Sequence, residues 1–359
     1  MRQVFFVTGL SILIVGSGRY SWAFDDAPAT AASAKAPDTA VKAPTPNSSD
    51  EPLAASFWAS KAAEFLDQVS LAWTTDRKCG SCHTNYAYML AQPAIGDSPS
   101  HAAREIRKFF EDRAANWDTA KPRWDTEVVA TAVTLAIHDA ETTGKLNPIT
   151  RSALDRMWTL QPKDGAWNWL KCDWPPLESD DYYGAVFVAL GVGLAPDGYS
   201  ETPLARAGME KVRGYLNENP PPSLHHRAML LWASIKTPNL MTQEDRDSTI
   251  RELLACQRPN GGWSLASLGD WKRRDGLLND PACAPSDGYA TGFVVYVLRA
   301  AGLSTDQDAI RRGVAWLKTS QRESGRWFTR SVNNDKYHYI ANAGTAYALM
   351  ALKSCGELK

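Results

Sequence analysis

The sequence offers little to a membrane or to a nucleic acid. Its N-terminal apolar run, residues 4–15, falls short of the ~20 residues that a bilayer-spanning helix needs. Lys plus Arg number 39 against 40 Asp plus Glu, so no excess of positive charge is available to track a phosphate backbone. Residues 25–52 contain hardly any bulky apolar side chain and are rich in Ala, Pro, Ser and Thr. Such a stretch cannot bury enough surface to offset its chain entropy, and it reads as a disordered tether. The short apolar run follows Met1-Arg2 and precedes Ser21-Trp22-Ala23, a small-x-small pattern of the kind signal peptidase cleaves. The expected organisation is a signal peptide over 1–23, a tether over 24–54 and one domain over 55–359. An N-terminal membrane anchor is the alternative reading of the same run. With no cysteine at the cleavage site, no lipid-modified terminus is expected. The mature chain is expected to be exported, periplasmic or secreted, without a transmembrane segment.

What the chain has in excess is tryptophan, 14 in all. Trp is large and carries a polar N–H, so a chain rich in it is using it for packing, stacking or an aromatic cavity. Three segments share the pattern Gln-x-x-x-Gly-x-Trp: Gln161, Gly165 and Trp167; Gln257, Gly261 and Trp263; Gln321, Gly325 and Trp327. Each follows apolar residues seven and four positions before the Gln: Leu154 and Met157, Ile250 and Leu253, Val314 and Leu317. That spacing lies on one helical face, and the Gly then ends the helix in a left-handed conformation.

The three Gln lie 96 and 64 positions apart. The first interval fits two units of about 48 residues with a degenerate copy between them. The copy is visible as an amphipathic stretch over 209–216, the breaker Pro220-Pro221-Pro222 and a helical run over 225–235. Reading outward yields six helix pairs. The second helix of several pairs is rich in small residues, as in Val129-Ala130-Thr131-Ala132-Val133 and Asn342-Ala343-Gly344-Thr345-Ala346, which suits close packing in an inner ring. The expectation is an all-α fold, an (α/α)6 toroid with charged outer helices; an open solenoid of helix pairs is the alternative.

Cys79-Gly80-Ser81-Cys82-His83 is a full c-type haem attachment pattern. Both thiols would add to the haem vinyls and His83 would be the proximal ligand. A disulfide between Cys79 and Cys82, stapling the turn into the first inner helix, is the competing reading.

The Gln-x-x-x-Gly-x-Trp turns resemble the repeat of the squalene–hopene cyclase and prenyltransferase family, over about residues 55 to 353. The resemblance is sharpest where Gly165-Ala166-Trp167 is followed by Glu178-Ser179-Asp180-Asp181 at the start of an inner helix. Bacterial cyclases carry an Asp-x-Asp-Asp motif there, whose middle acid protonates an alkene. The resemblance therefore implies Asp180 as proton donor, Glu178 and Asp181 as its tuning neighbours, and His225 or His226 on the next inner helix as its orienting partner. Trp167, Trp169, Tyr182, Tyr183 and Tyr289 could stabilise a carbocation through their π faces. The first acid is Glu rather than Asp, and one barrel stands where the cyclases have two. The same acids are also well placed simply to cap the helix that follows. Against the prenyltransferases, Asp287 and His338 have counterparts among the zinc ligands, but Tyr289 stands where the thiolate would be, so no thiol-activating zinc site is expected. A weaker site through Asp287 and His338 stays open. The resemblance implies a protein that binds or cyclises an apolar, isoprenoid-type small molecule, as a class II terpene-cyclase-like isomerase or lyase if it is an enzyme. A haem-bearing redox or binding protein, or a non-catalytic module for an unknown protein partner, are the alternatives on the same scaffold.

Overall fold

The computed structural model describes residues 44–359 except Asp97, Arg123, Asp173 and Lys359; the signal peptide and the first part of the tether read from the sequence lie outside them. Among the described residues there are twelve α-helices and no strand, only two isolated bridges. They are α1 (Ala59–Arg77), α2 (Asn85–Ile95), α3 (His101–Ala115), α4 (Asp125–Thr142), α5 (Pro148–Thr159), α6 (Asp181–Leu194), α7 (Pro203–Glu218), α8 (Leu224–Lys236), α9 (Gln243–Ala255), α10 (Gly288–Ala300), α11 (Asp308–Thr319) and α12 (Ile340–Ser354).

Even-numbered helices form the inner ring: α2 packs on α4, α4 on α6, α6 on α8, α8 on α10 and α10 on α12, and α12 returns to α2. The ring is closed. Burial separates the two layers. In α11 only Ile310, Gly313, Val314 and Leu317 are buried, the stripe of an amphipathic outer helix. In α12 every residue from Ile340 to Leu352 is buried, because this helix meets neighbours on all sides. Small residues permit that crowding: a Cβ on Gly292 of α10 would lie 2.5 Å from the Ala348 backbone nitrogen of α12.

The Gln-Gly-Trp turns tie the layers together in one repeated way. Gly165, Gly261 and Gly325 have φ of +98°, +91° and +96°, a region that costs any side chain. The side-chain nitrogen of each Gln donates to the carbonyl of its own turn Gly and to a carbonyl of the next outer helix or its cap: Gly208, Ala309 and Trp58. Each Trp indole N–H reaches back to a carbonyl ten residues earlier, that of Met157, Leu253 or Leu317, at 2.7–3.0 Å. The third turn grips the start of α1, so the outer layer closes as well.

Residues 44–54 differ from the tether that composition suggests. Ala54 N–H donates to the Gln321 carbonyl at 2.8 Å. Arg326, only 1 % exposed, donates to the Thr45 carbonyl, the Asn47 side chain and the Glu51 carboxylate. A buried guanidinium needs such partners, and it recruits a segment whose own apolar content would not fold it.

Candidate active site at the inner-helix N-termini

The inner helices start at one mouth of the toroid, and the acids singled out by sequence stand there. Asp180 is the N-cap of α6: its Oδ1 accepts the Tyr183 N–H at 2.9 Å. Its Oδ2 lies 3.0 Å from His226 Nε2 on α8 and accepts the Ser179 hydroxyl at 2.7 Å. Ser223, the N-cap of α8, lies 2.7 Å from His226 Nδ1, so a hydroxyl donated there leaves the Nε2 hydrogen to Asp180. Burial pushes the Asp180 carboxyl up, but the hydrogen bond and charge of His226, then Ser179 and the Tyr183 N–H, outweigh it and hold the group at about 2. The Asp180 side chain keeps 29 % of its surface exposed, beside the rings of Tyr182 and Tyr215.

The three acids do not pool their charge. Asp181 turns back to the preceding loop, where it accepts the Trp169 N–H at 2.7 Å and pairs with Lys171 at 2.9 Å. Glu178 turns inward and is buried; burial lifts its carboxyl to about 7, opposed by the backbone N–H and thiol of Cys82. The carboxyl that keeps a proton near neutrality is therefore Glu178 and not Asp180, a correction to the tuning expected of adjacent acids. His225 also departs from expectation. It faces the core, with Nε2 2.9 Å from Tyr289 Oη, and burial keeps it neutral.

Behind the mouth the barrel axis is filled. His225 stacks 4.7 Å from Phe293; Phe293 and Tyr289 each meet Tyr347 at 5.3 Å; Trp232 meets Tyr347 at 6.5 Å and Tyr296 at 5.0 Å. Tyr183 continues the column outward to Trp169 at 5.8 Å. Trp167 lies under its turn, fully buried against Trp158. The aromatic excess is thus spent largely on a solid core, with Tyr182 buried beside the Asp180–His226 pair and Tyr215 half-buried next to it.

In the Cys79–His83 segment all cysteines are free thiols. His83 is 9 % exposed; its ring stacks on Tyr339 at 5.1 Å and meets Trp73 edge-on at 4.9 Å. Its Nδ1 bonds the Ser81 and Thr84 hydroxyls, and burial holds it neutral with a pKa of about 3. A neutral imidazole is the ligating form, but a porphyrin would reach it only if the cover of Trp73 and Tyr339 opened. Asp287 caps α10, accepting the Ala290 and Leu265 N–H groups at 2.9 and 2.6 Å, while His338 accepts the Ser331 N–H at 3.1 Å. Among the described residues no three His, Cys, Asp or Glu side chains converge as metal ligands. Ser179 and Ser223 are partners the sequence reading missed; Ser223 was discoverable as a cap residue directly before the helical run of α8.

No family model matches the chain. It is 26% identical over 290 residues to squalene–hopene cyclase of Zymomonas mobilis, a match covering 66% of this chain and 40% of that enzyme. The chain thus spans well under half the length of the curated relative it matches. Among solved structures, ent-copalyl diphosphate synthase from Streptomyces platensis superposes with a TM-score of 0.50 at 16% identity, over 76% of this chain and 50% of that one. A glycosidase in complex with glucose superposes with a TM-score of 0.53 at 12% identity, over 84% and 98%. The fold is the α/α toroid of the terpene cyclases, which glycosidases share, so it does not by itself select a reaction. In sequence the chain is similar to squalene–hopene cyclase over the greater part of its length.

Proposed function

We propose that this toroid, exported from the cytoplasm, takes an apolar, isoprenoid-type molecule at the N-terminal mouth, with Asp180 as the protonating acid and His226 as its orienting partner. The observation that carries the reading is the 3.0 Å pair of Asp180 Oδ2 and His226 Nε2, half-open at the rim beside Tyr182 and Tyr215. A carboxyl held at about 2 is a strong acid but is almost entirely ionised at neutral pH. Loading it with a proton costs about 7 kcal/mol over about five pH units. An apolar ligand seated on the rim lowers that cost, because it strips water from the carboxylate and favours the neutral form. Rings at the mouth then face the cation that protonation creates. Because the axis behind is filled, the ligand lies across the mouth rather than threading the barrel.

The test is Asp180→Asn, which keeps the cap and removes the acid. The parent should bind and slowly convert a polyprene such as squalene or geranylgeraniol. The variant should still bind but lose conversion by at least a hundredfold, with Tm within a few degrees of the parent. Failure of the parent to bind any polyprene overturns the reading.

A second reading is covalent haem c at Cys79, Cys82 and His83, supported by the neutral state of His83 and the two free thiols. It requires a Soret band in protein from a host that matures c-type cytochromes, and loss of that band in Cys82→Ser. A colourless product from such a host eliminates it.

A further inference from the structure

The opposite mouth of the toroid carries a cavity. It has a volume of about 510 Å³ and is walled by the last turns of all six inner helices, Pro93, Ile137, Leu194, Ile235 and Met350 among them. Its floor is the lower end of the aromatic column, Trp232 and Tyr296. The size lies within the ~300–1,000 Å³ of small-molecule sites. Since α6 has 14 residues, this cup lies about 21 Å from the Asp180 end of the same helix.

Three features distinguish the cup from a packing defect. Its floor and much of its wall are apolar side chains, with charged residues among them, all carried on helices rather than on loops. Neither the Trp232 indole N–H nor the Tyr296 hydroxyl has a hydrogen-bond partner among the described residues, and neither polar atom is sealed from solvent, so both are open to a ligand acceptor. Lys236, Arg299 and Lys353 line the same cavity against a single carboxylate, Glu141. Arg299 is committed to the Ser354 and Leu303 carbonyls, but Lys236 and Lys353 make no ion pair among the described residues. Cations at helix C-termini stabilise those helices through the dipole. That accounts for the lysines and leaves the apolar bowl between them unexplained.

We infer that this cup binds an amphipathic anion: an apolar body resting on Trp232 and Tyr296, and a carboxylate or phosphate head held by Lys236 and Lys353. The site is independent of the chemistry at Asp180. A phosphate monoester and a carboxylate share the same recognition, and the two are compared directly.

The experiment is calorimetric titration of the full chain with dodecanoate below its micellar concentration, repeated with dodecyl phosphate, dodecanol and dodecyltrimethylammonium. Both anions should bind one to one, the alcohol and the cation at least tenfold more weakly. Lys236→Glu combined with Lys353→Glu should weaken dodecanoate at least tenfold while leaving helicity unchanged. Should the double variant lose helicity, Lys353→Gln, at an exposed position, serves instead, with an expected loss of about threefold. The proposal is overturned if dodecanoate does not bind, if dodecanol binds as well as dodecanoate, or if the lysine variants bind like the parent.

Discussion

Glu178 and Asp180 stand two positions apart and titrate in opposite directions, because the start of α6 sends their side chains to different neighbours. Asp180, as N-cap, meets His226; Asp181, one residue into the helix, points back to Trp169; Glu178, before the cap, turns in to Cys82. The sequence shows three acids together, and only the helix phase divides them. A histidine partner for Asp180, His225 or His226, was expected from the resemblance, whereas Cys82 lies 96 positions from Glu178 and no motif joins them. Glu178 titrates near 7 when folded, above its ordinary 4.5. Below pH 4.5 the carboxyl is neutral in both states and its contribution is whole. Between about 4.5 and 7 the unfolded chain ionises while the folded chain does not, so stability falls as pH rises, by about 3 kcal/mol in all. Glu178→Gln should flatten this fall and leave the protein more stable than the parent at pH 8. Urea midpoints at pH 4.5 and pH 8 read it directly, and parallel curves for parent and variant would remove Glu178 from that role.

At the scale of elements, the Gln-Gly-Trp turn was legible in full, since each of its residues has a job that few others can do. Gln bridges two helices, Gly accepts a left-handed backbone, and Trp fills the space beneath while its N–H satisfies a carbonyl near the helix end. The arm of residues 44–54 was not legible, because its stability resides in Arg326, which is some 280 positions away in sequence and belongs to the third turn. Gly325 shows how tightly that turn is seated: a Cβ there would lie 2.2 Å from the Lys61 carbonyl oxygen. Gly276 has a similar φ, +76°, and nothing within 4 Å of the same position. Gly276→Ala should cost only the backbone strain, about 1 kcal/mol. Gly325→Ala adds a clash with backbone that cannot swing aside, and should cost at least ~2 kcal/mol more. Equal losses in the two variants, measured by chemical denaturation, would show that the turn yields.

At the scale of the molecule, six pairs with small-residue inner helices pointed to a closed toroid but not to the contacts that close it, because closure depends on the first and last units recognising each other. The recognition is specific: Gln321 bridges Trp58, Arg326 holds the arm, and α12 fills the gap between α10 and α2. The cavity at the C-terminal mouth was illegible for the same reason, since its walls come one to three residues at a time from helices about 50 positions apart. Closure also changes how the protein should unfold. In an open solenoid, removing a terminal pair costs only that pair and one interface, and the remainder still melts cooperatively. Here the aromatic column is shared by α6, α8, α10 and α12, and every inner helix has two inner neighbours. Deleting residues 306–359 removes Tyr347 from the column and bares the faces of both α10 and α2. The full chain should unfold in urea as a single transition, with fluorescence and circular dichroism coincident. The deleted chain should retain helical content yet lose the sharp transition and bind an apolar dye such as anilinonaphthalene sulfonate, as expected of a collapsed state without fixed packing. If it instead unfolds in one sharp step at a slightly lower urea concentration, the pairs are stabilised by their nearest neighbours alone, and the ring is a shape rather than a cooperative unit.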